Sequence, residues 1–149
     1  MENCKPHLAQ TLSAHAASMV LSLGYNRIAT LQADTEHVRQ SKILLFWMTY
    51  WLDTSFSVRL GRAPTIRDYD ITVPRLSHDS ILPSNFVNAF NYSLTIGSLQ
   101  SRAVEQLYSP LALQQSVGER RQRASRLIAD LDHAWEGRGE VCKFSSNWM

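Results

Sequence analysis

The sequence predicts an all-α fold: a multi-helix bundle around a buried central helix at about residues 34–60, followed by an ordered proline-containing loop at about 64–83. Three observations carry this. From Ile43 to Leu52 the run ILLFWMTYWL is broken only by Thr49, apart from the Tyr50 hydroxyl and two indole N–H groups. Apolar side chains therefore point all round a helix there, and a helix hydrophobic all round is a buried one. The run is far short of the roughly 20 apolar residues that cross a bilayer. On either side, apolar residues recur three or four apart, with helix stops between the periodic segments.

With 149 residues, one domain covering 1–149 is expected, large enough to bury a core. A composition of 44% hydrophobic and 19% charged residues argues against disorder. The net charge of +2, from 15 Lys plus Arg against 13 Asp plus Glu, predicts no strong phosphate-tracking face. Cys4 and Cys142 lie near opposite ends of the chain. They can pair only if the termini meet and are too few for a structural zinc site, so a reducing compartment fits better than a secreted one. No signal peptide, transit peptide, membrane span, repeat or low-complexity stretch is visible.

After a lead-in to Pro6, Leu8, Leu12, Ala16, Met19, Val20 and Leu23 give the first helix one buried face, and Gly24 stops it. Tyr25 to Ala33 reads as a connector. Asp34 or Thr35 can cap the central helix, with Glu36 in its first turn. Two stripes run along that helix, Ile43, Trp47, Tyr50, Thr54 and Leu44, Met48, Trp51, Ser55, each expected to meet a different neighbour. Gly61 offers a left-handed C-terminal cap, Pro64 prevents continuation, and Arg62 sits at the negative end of the helix dipole. The three prolines of the following segment predict an ordered surface loop.

Beyond Pro83, Ser84 can cap a long helix with Phe86, Phe90, Leu94, Gly97, Ser101, Val104 and Tyr108 on one face. The small residues Gly97, Ser98 and Ser101 permit a close crossing, and Ser109-Pro110 ends the helix. Ser116-x-x-Glu119 is a capping box, followed at helical spacing by Ala124, Leu127, Ile128, Leu131 and Trp135. Gly137 and Gly139 close this last helix, and the final residues are expected to fray.

Between Phe46 and Pro74 several unlike residue types recur in a particular order: Phe46-Trp47, Leu52-Asp53, Leu60-Gly61-Arg62, Pro64, Ile66, Asp68-x-Asp70-Ile71 and Pro74. This order resembles the regulatory domain of fungal zinc-cluster transcription factors, also called the fungal-specific transcription factor domain or middle homology region. The resemblance covers about Leu8 to Trp135 and is sharp from Phe46 to Pro74. The pattern departs from the family at three places. Only Lys42 is basic just before Phe-Trp, where two or three arginines are usual; Thr54 replaces the arginine after Leu-Asp; and Ala63 replaces the first proline after Gly-Arg. Farther upstream, Leu23-Gly24-Tyr25-Asn26 keeps the first two residues of a Leu-Gly-Leu-His segment.

Read for chemistry, Asp53 is the most informative charge, since it ends an otherwise apolar helix. It is either a catalytic acid or ligand anchor, or a buried carboxylate satisfied by Arg62 or by N–H groups of the Gly61 turn. The second reading is favoured, because a buried charge demands a partner and no second catalytic group accompanies it. Asp68-x-Asp70 has the residue types of a metal-binding pair, with both side chains on one side if the loop is extended; turn-capping carboxylates account for them equally. Ser77-His78-Asp79 has triad residue types without triad geometry. His7, His15, His37, His78 and His133 lack metal-ligand spacing, and His15 is expected at a core edge. No phosphate loop, dinucleotide fingerprint or nucleophile elbow is present. The cluster from Glu119 to Arg126 is expected to be the solvated side of an amphipathic helix, with Arg120 and Arg123 sharing a face. Phe46, Trp47, Tyr50 and Trp51 are expected to fill the core, a pocket for an apolar effector being the alternative.

No enzyme is expected, and no catalytic, cofactor or metal residue is assigned. The resemblance implies a nuclear regulator of RNA polymerase II transcription whose DNA-reading module is a six-cysteine, two-zinc cluster. That cluster is not in this sequence, so zinc and DNA contacts are expected of an absent segment. The family region is usually longer, so the chain is expected to be a fragment or a truncated gene product. Implied partners are other segments of the same regulator, a second copy or a small-molecule inducer, with no membrane. The alternatives are a stand-alone helical interaction module derived from such a factor, and a small helical enzyme using Asp53 or Asp68/Asp70.

Overall fold

The computed structural model describes residues 6–77 and 82–137, and every regular element among them is helical. The lead-in before Pro6, Cys4, His78, Asp79, Gly139, Cys142 and the final residues lie outside the described residues. The chain divides into two compact units, with the division between Ile81 and Leu82.

The first unit holds α1 (Pro6–Ser22) and α2 (Glu36–Arg59), with short 3₁₀ turns at Ile28–Leu31 and Asp68–Asp70. α1 packs along α2, but through a different face from the one its apolar periodicity predicts. Gln10, Ser13, Ala17 and Val20 are buried, whereas Leu8, Leu12, Ala16, Met19 and Leu23 are exposed. Small side chains such as Ser13 and Ala17 let two helix backbones approach closely, and here that contact prevails over burial of the leucines. Gly24 ends α1 at φ +71°, in a Schellman turn: Tyr25 N–H donates to Val20 O (3.0 Å) and Gly24 N–H to Leu21 O (2.9 Å).

α2 occupies the predicted position. Thr35 is its N-cap without a side-chain capping bond, and Asp34 instead accepts from Lys42 at 2.8 Å. Along one side Ile43, Phe46, Trp47, Tyr50, Asp53, Thr54 and Ser57 are buried. The other stripe is only partly covered: Leu44, Met48 and Ser55 are half-buried, and Leu45, Trp51 and Leu52 are exposed. The helix is therefore interior on one side and open on the other, and its all-round hydrophobicity overstates the burial. Phe46, Trp47 and Tyr50 meet edge to face, with centroids 5.1 and 5.3 Å apart. Leu31, Ile66, Val73 and Leu76 are further buried hydrophobic side chains of this unit.

The second unit comprises α3 (Ser84–Ala103), a π-turn (Val104–Tyr108), α4 (Pro110–Leu113) and α5 (Val117–Glu136). Ser84 is the first residue of α3 and not its cap, since Pro83 holds the N-cap position; the nearby Asn85 Oδ1 accepts from Phe86 N–H at 2.8 Å. Val87, Phe90, Leu94 and Gly97 are buried, while Phe86 and Tyr108 at the ends of the expected stripe are exposed. Ser109-Pro110 ends one helix and starts another: Ser109 Oγ accepts from Ala112 N–H at 3.1 Å, with Pro110 at the first helical position.

The capping box of α5 forms as expected. Glu119 N–H donates to Ser116 Oγ (3.2 Å), and Ser116 N–H returns the bond to Glu119 Oε2 (2.9 Å). The Ser116 hydroxyl also donates to Glu119 Oε2 (2.7 Å), and this bond, with that from the Ser116 N–H, holds the Glu119 carboxyl below its ordinary pKa. α5 packs on α3, tied by Arg102–Asp130 at 2.8 Å. Here too the expected face is largely outward: Leu127 is buried, but Ile128, Leu131 and Trp135 are exposed. In the cluster from Glu119 to Arg126, Glu119, Arg121, Gln122, Ser125 and Arg126 are exposed as expected, whereas Arg120 and Arg123 are half-buried. Among the described residues no helix is long and apolar enough to cross a membrane.

Candidate functional site

The ordered motif residues converge on one structure: the loop after α2 folds back along the helix that precedes it. The reversal begins at Leu60, the C-cap, and Gly61, whose φ of +63° places it in the left-handed region. Arg62 N–H donates to Ser57 O (2.8 Å) and Gly61 N–H to Val58 O (3.1 Å), a second Schellman turn. From there the loop is bonded to α2 at successive turns.

Asp53 makes the first bond. Its Oδ2 accepts from the backbone N–H groups of Thr65 (2.6 Å) and Ile66 (2.9 Å). Asp53 is a buried carboxylate, as expected, but its donors are these amides, not Arg62 and not the Gly61 turn. Arg62 instead donates to Gln10 Oε1 at 3.0 Å, joining the end of α2 to α1. The Asp53 carboxyl is 1% exposed, and its Oδ1 has no hydrogen-bond partner. Burial raises its pKa above the ordinary value, opposed by the Ile66 amide, by the Thr65 side chain and amide, and by the charge of Arg67.

One turn earlier, the Tyr50 hydroxyl donates to Asp68 Oδ1 at 2.7 Å. One turn earlier still, Trp47 Nε1–H donates to Pro74 O at 2.8 Å, and the Arg75 guanidinium lies 4.2 Å from the Trp47 ring. Positions 53, 50 and 47 thus form one line down the helix, holding 65–66, 68 and 74 of the returning chain.

Asp70 faces elsewhere. It pairs with Arg27 at 3.1 Å, and its carbonyl accepts from Asn26 Nδ2 at 2.7 Å. Asn26 O in turn accepts from Thr72 N–H (2.8 Å) and Val73 N–H (3.2 Å), and Thr72 Oγ1 accepts from Ile28 N–H at 3.1 Å. The loop is thereby clamped between α2 and the connector after α1. Asp68 and Asp70 sit in a 3₁₀ turn, not in extended chain, and their carboxylates serve different partners, which overturns their shared orientation as a metal pair. Among the described residues no group of three or more His, Cys, Asp or Glu side chains could hold a metal ion.

Of the other motif residues, Phe46, Pro64 and Ile66 are buried, Leu60 and Ile71 are half-buried, and Leu52 is exposed. Phe46, Trp47 and Tyr50 fill the core, and Trp51 lies on the open side of α2. His15 is exposed and not at a core edge, its Nδ1 lying 2.8 Å from Thr11 O. Lys42, the single basic residue before Phe46-Trp47, bonds both Asp34 oxygens at 2.8 Å and lies 5.4 Å from the Tyr25 ring centroid.

Sequence reasoning overlooked Asn26, 1% exposed and the centre of the clamp. It stands last in the Leu23-Gly24-Tyr25-Asn26 segment, which marked the position; partners 44 and 46 residues away left no local trace. The same holds for Thr65, Thr72 and Gln10.

Chemically, the arrangement bonds a loop to a helix. Its carboxylates are engaged by amides, a phenol and an arginine, and no nucleophile–base pair is assembled among the described motif residues. A comparison with curated proteins and with solved structures gives no match. The family model described as the fungal specific transcription factor domain matches residues 3–127, which include the whole Phe46–Pro74 motif and its clamp. That family is one of transcription-factor domains and not of enzymes, and the chain belongs to it.

Proposed function

We propose that the chain is the regulatory body of a nuclear fungal regulator of RNA polymerase II transcription and has no catalytic activity of its own. In this reading DNA contact and zinc belong to a cysteine-rich cluster in a segment other than this one. The observation that supports it is a division of labour among side chains. Trp47, Tyr50, Asp53, Arg62, Asp68 and Asp70 each bond within the fold, while Leu8, Leu12, Met19 and Leu23 stand exposed along one face of α1. Exposed apolar surface of this kind suits docking and not turnover. The helical body works by packing against other segments of the regulator, and a change in that packing alters access to the DNA-reading or activating parts.

The test tethers the chain to a heterologous DNA-binding module at an RNA polymerase II reporter. Reporter output should differ from that of the module alone, and Leu12→Gln with Met19→Gln should shift it. Equal output from all three proteins contradicts the proposal. In gel-shift titrations the chain alone should bind DNA weakly and with strong salt dependence; tight sequence-specific binding contradicts the assignment of DNA reading elsewhere.

A further inference from the structure

The second unit contains a cavity of about 360 Å³ between α3 and α5. Ile96, Leu99 and Ala103 form one wall, Ala124, Ile128 and Leu131 the other. Leu127, 8% exposed, is the most deeply buried of the side chains around it, and Leu107 of the π-turn also contributes. Gln100 is the single polar residue of the lining, and no charged side chain takes part. The apolar pocket weighed only as an alternative to core packing at Phe46, Trp47, Tyr50 and Trp51 has a counterpart here, in a different place and made of aliphatic groups.

We propose that this cavity is a binding site for an uncharged, predominantly hydrocarbon small molecule. The volume sets the size of the ligand and the lining its class. The volume falls at the lower end of the range of about 300–1,000 Å³ typical of ligand pockets. The lining offers no partner for a charge, so an ionic ligand would lose its hydration without compensation. The π-turn is a rare conformation that recurs at functional sites, and its Leu107 lines the cavity at the end of α3. Ile128 and Leu131 are 58% and 44% exposed without a ligand, apolar surface that a hydrocarbon would remove from water. The Arg102–Asp130 ion pair ties the two walls together. Binding itself is independent of the regulatory reading; only its role as an effector site rests on that reading.

The experiment titrates the full chain with N-phenyl-1-naphthylamine, a neutral apolar fluorophore, and follows its emission. Saturable binding of one probe per chain is expected. Ile128→Gln on the rim should weaken it roughly tenfold, as loss of one or two buried methylene groups implies. Leu12→Gln, on the exposed face of α1 and outside the cavity, should leave it within about twofold, because distant sites act independently. Non-saturable binding, or equal loss in both variants, overturns the proposal, since the probe would then report general apolar exposure. So does sedimentation showing a dimer that Ile128→Gln dissociates, which would make the groove a contact between copies. The reporter assay takes no part in this test, so a failed titration leaves the regulatory reading standing.

Discussion

Trp47 and Trp51 stand one helical turn apart on α2, yet Trp47 is 3% exposed and donates to Pro74 O, whereas Trp51 is 37% exposed. Trp47→Ala should therefore cost about 3–5 kcal/mol in urea denaturation, a large share of ordinary domain stability, and Trp51→Ala about 1 kcal/mol or less. Equal costs would contradict the one-sided burial of the helix. Asp53 makes a sharper case. Its raised pKa means that the folded chain holds that proton more tightly than the unfolded chain. Its contribution to stability is complete below the ordinary carboxylate value of 3.8 and is lost as pH rises through the raised folded value. Asp53→Asn keeps an acceptor for the Thr65 and Ile66 amides and does not titrate. Compared by denaturation from about pH 7 to pH 3, the native protein should gain on the Asn variant as pH falls; the opposite slope contradicts the burial argument. That Asp53 needs a partner was legible from its place in the sequence. Which partner was not, because the path of the loop brings amides 12 and 13 residues away to its oxygen.

At the scale of elements, the local signals were readable. α2 was placed within two residues at its N-terminus, and the Ser116 capping box and the glycine stops at Gly24 and Gly61 form as their chemistry dictates. The two glycines differ in surroundings, which gives a graded prediction. A Cβ at Gly61 would meet nothing within 4 Å, so Gly61→Ala carries only the left-handed backbone cost, about 1–2 kcal/mol. A Cβ at Gly24 would lie 2.8 Å from Thr30 Oγ1, so Gly24→Ala carries that cost plus displacement of Thr30. Thermal unfolding should rank Gly24→Ala below Gly61→Ala; the reverse order contradicts the packing at the α1 turn. What periodicity could not supply was the buried face of α1 and α5. It identifies an apolar stripe, but the partner surface decides the contact. Next to α2, the small and polar Gln10, Ser13 and Ala17 fit where Leu8 and Leu12 do not.

At the scale of the whole molecule, the family match from residue 3 to 127 extends into both compact units. Their shared character lies in what each exposes: the first carries bare leucines on α1, and the second carries Ile128, Leu131 and Trp135 on α5. In the first unit, the ordered residues between Phe46 and Pro74 build a ladder from Asp53, Tyr50 and Trp47 to the returning loop, and a clamp from that loop to Asn26. The most direct test of this scaffold is amide hydrogen exchange on the intact chain. The amides of Thr65, Ile66, Thr72 and Val73, all outside regular helix, should exchange slowly, because each is bonded to Asp53 or Asn26. Exchange of these four at the rate of an unstructured peptide would contradict the account.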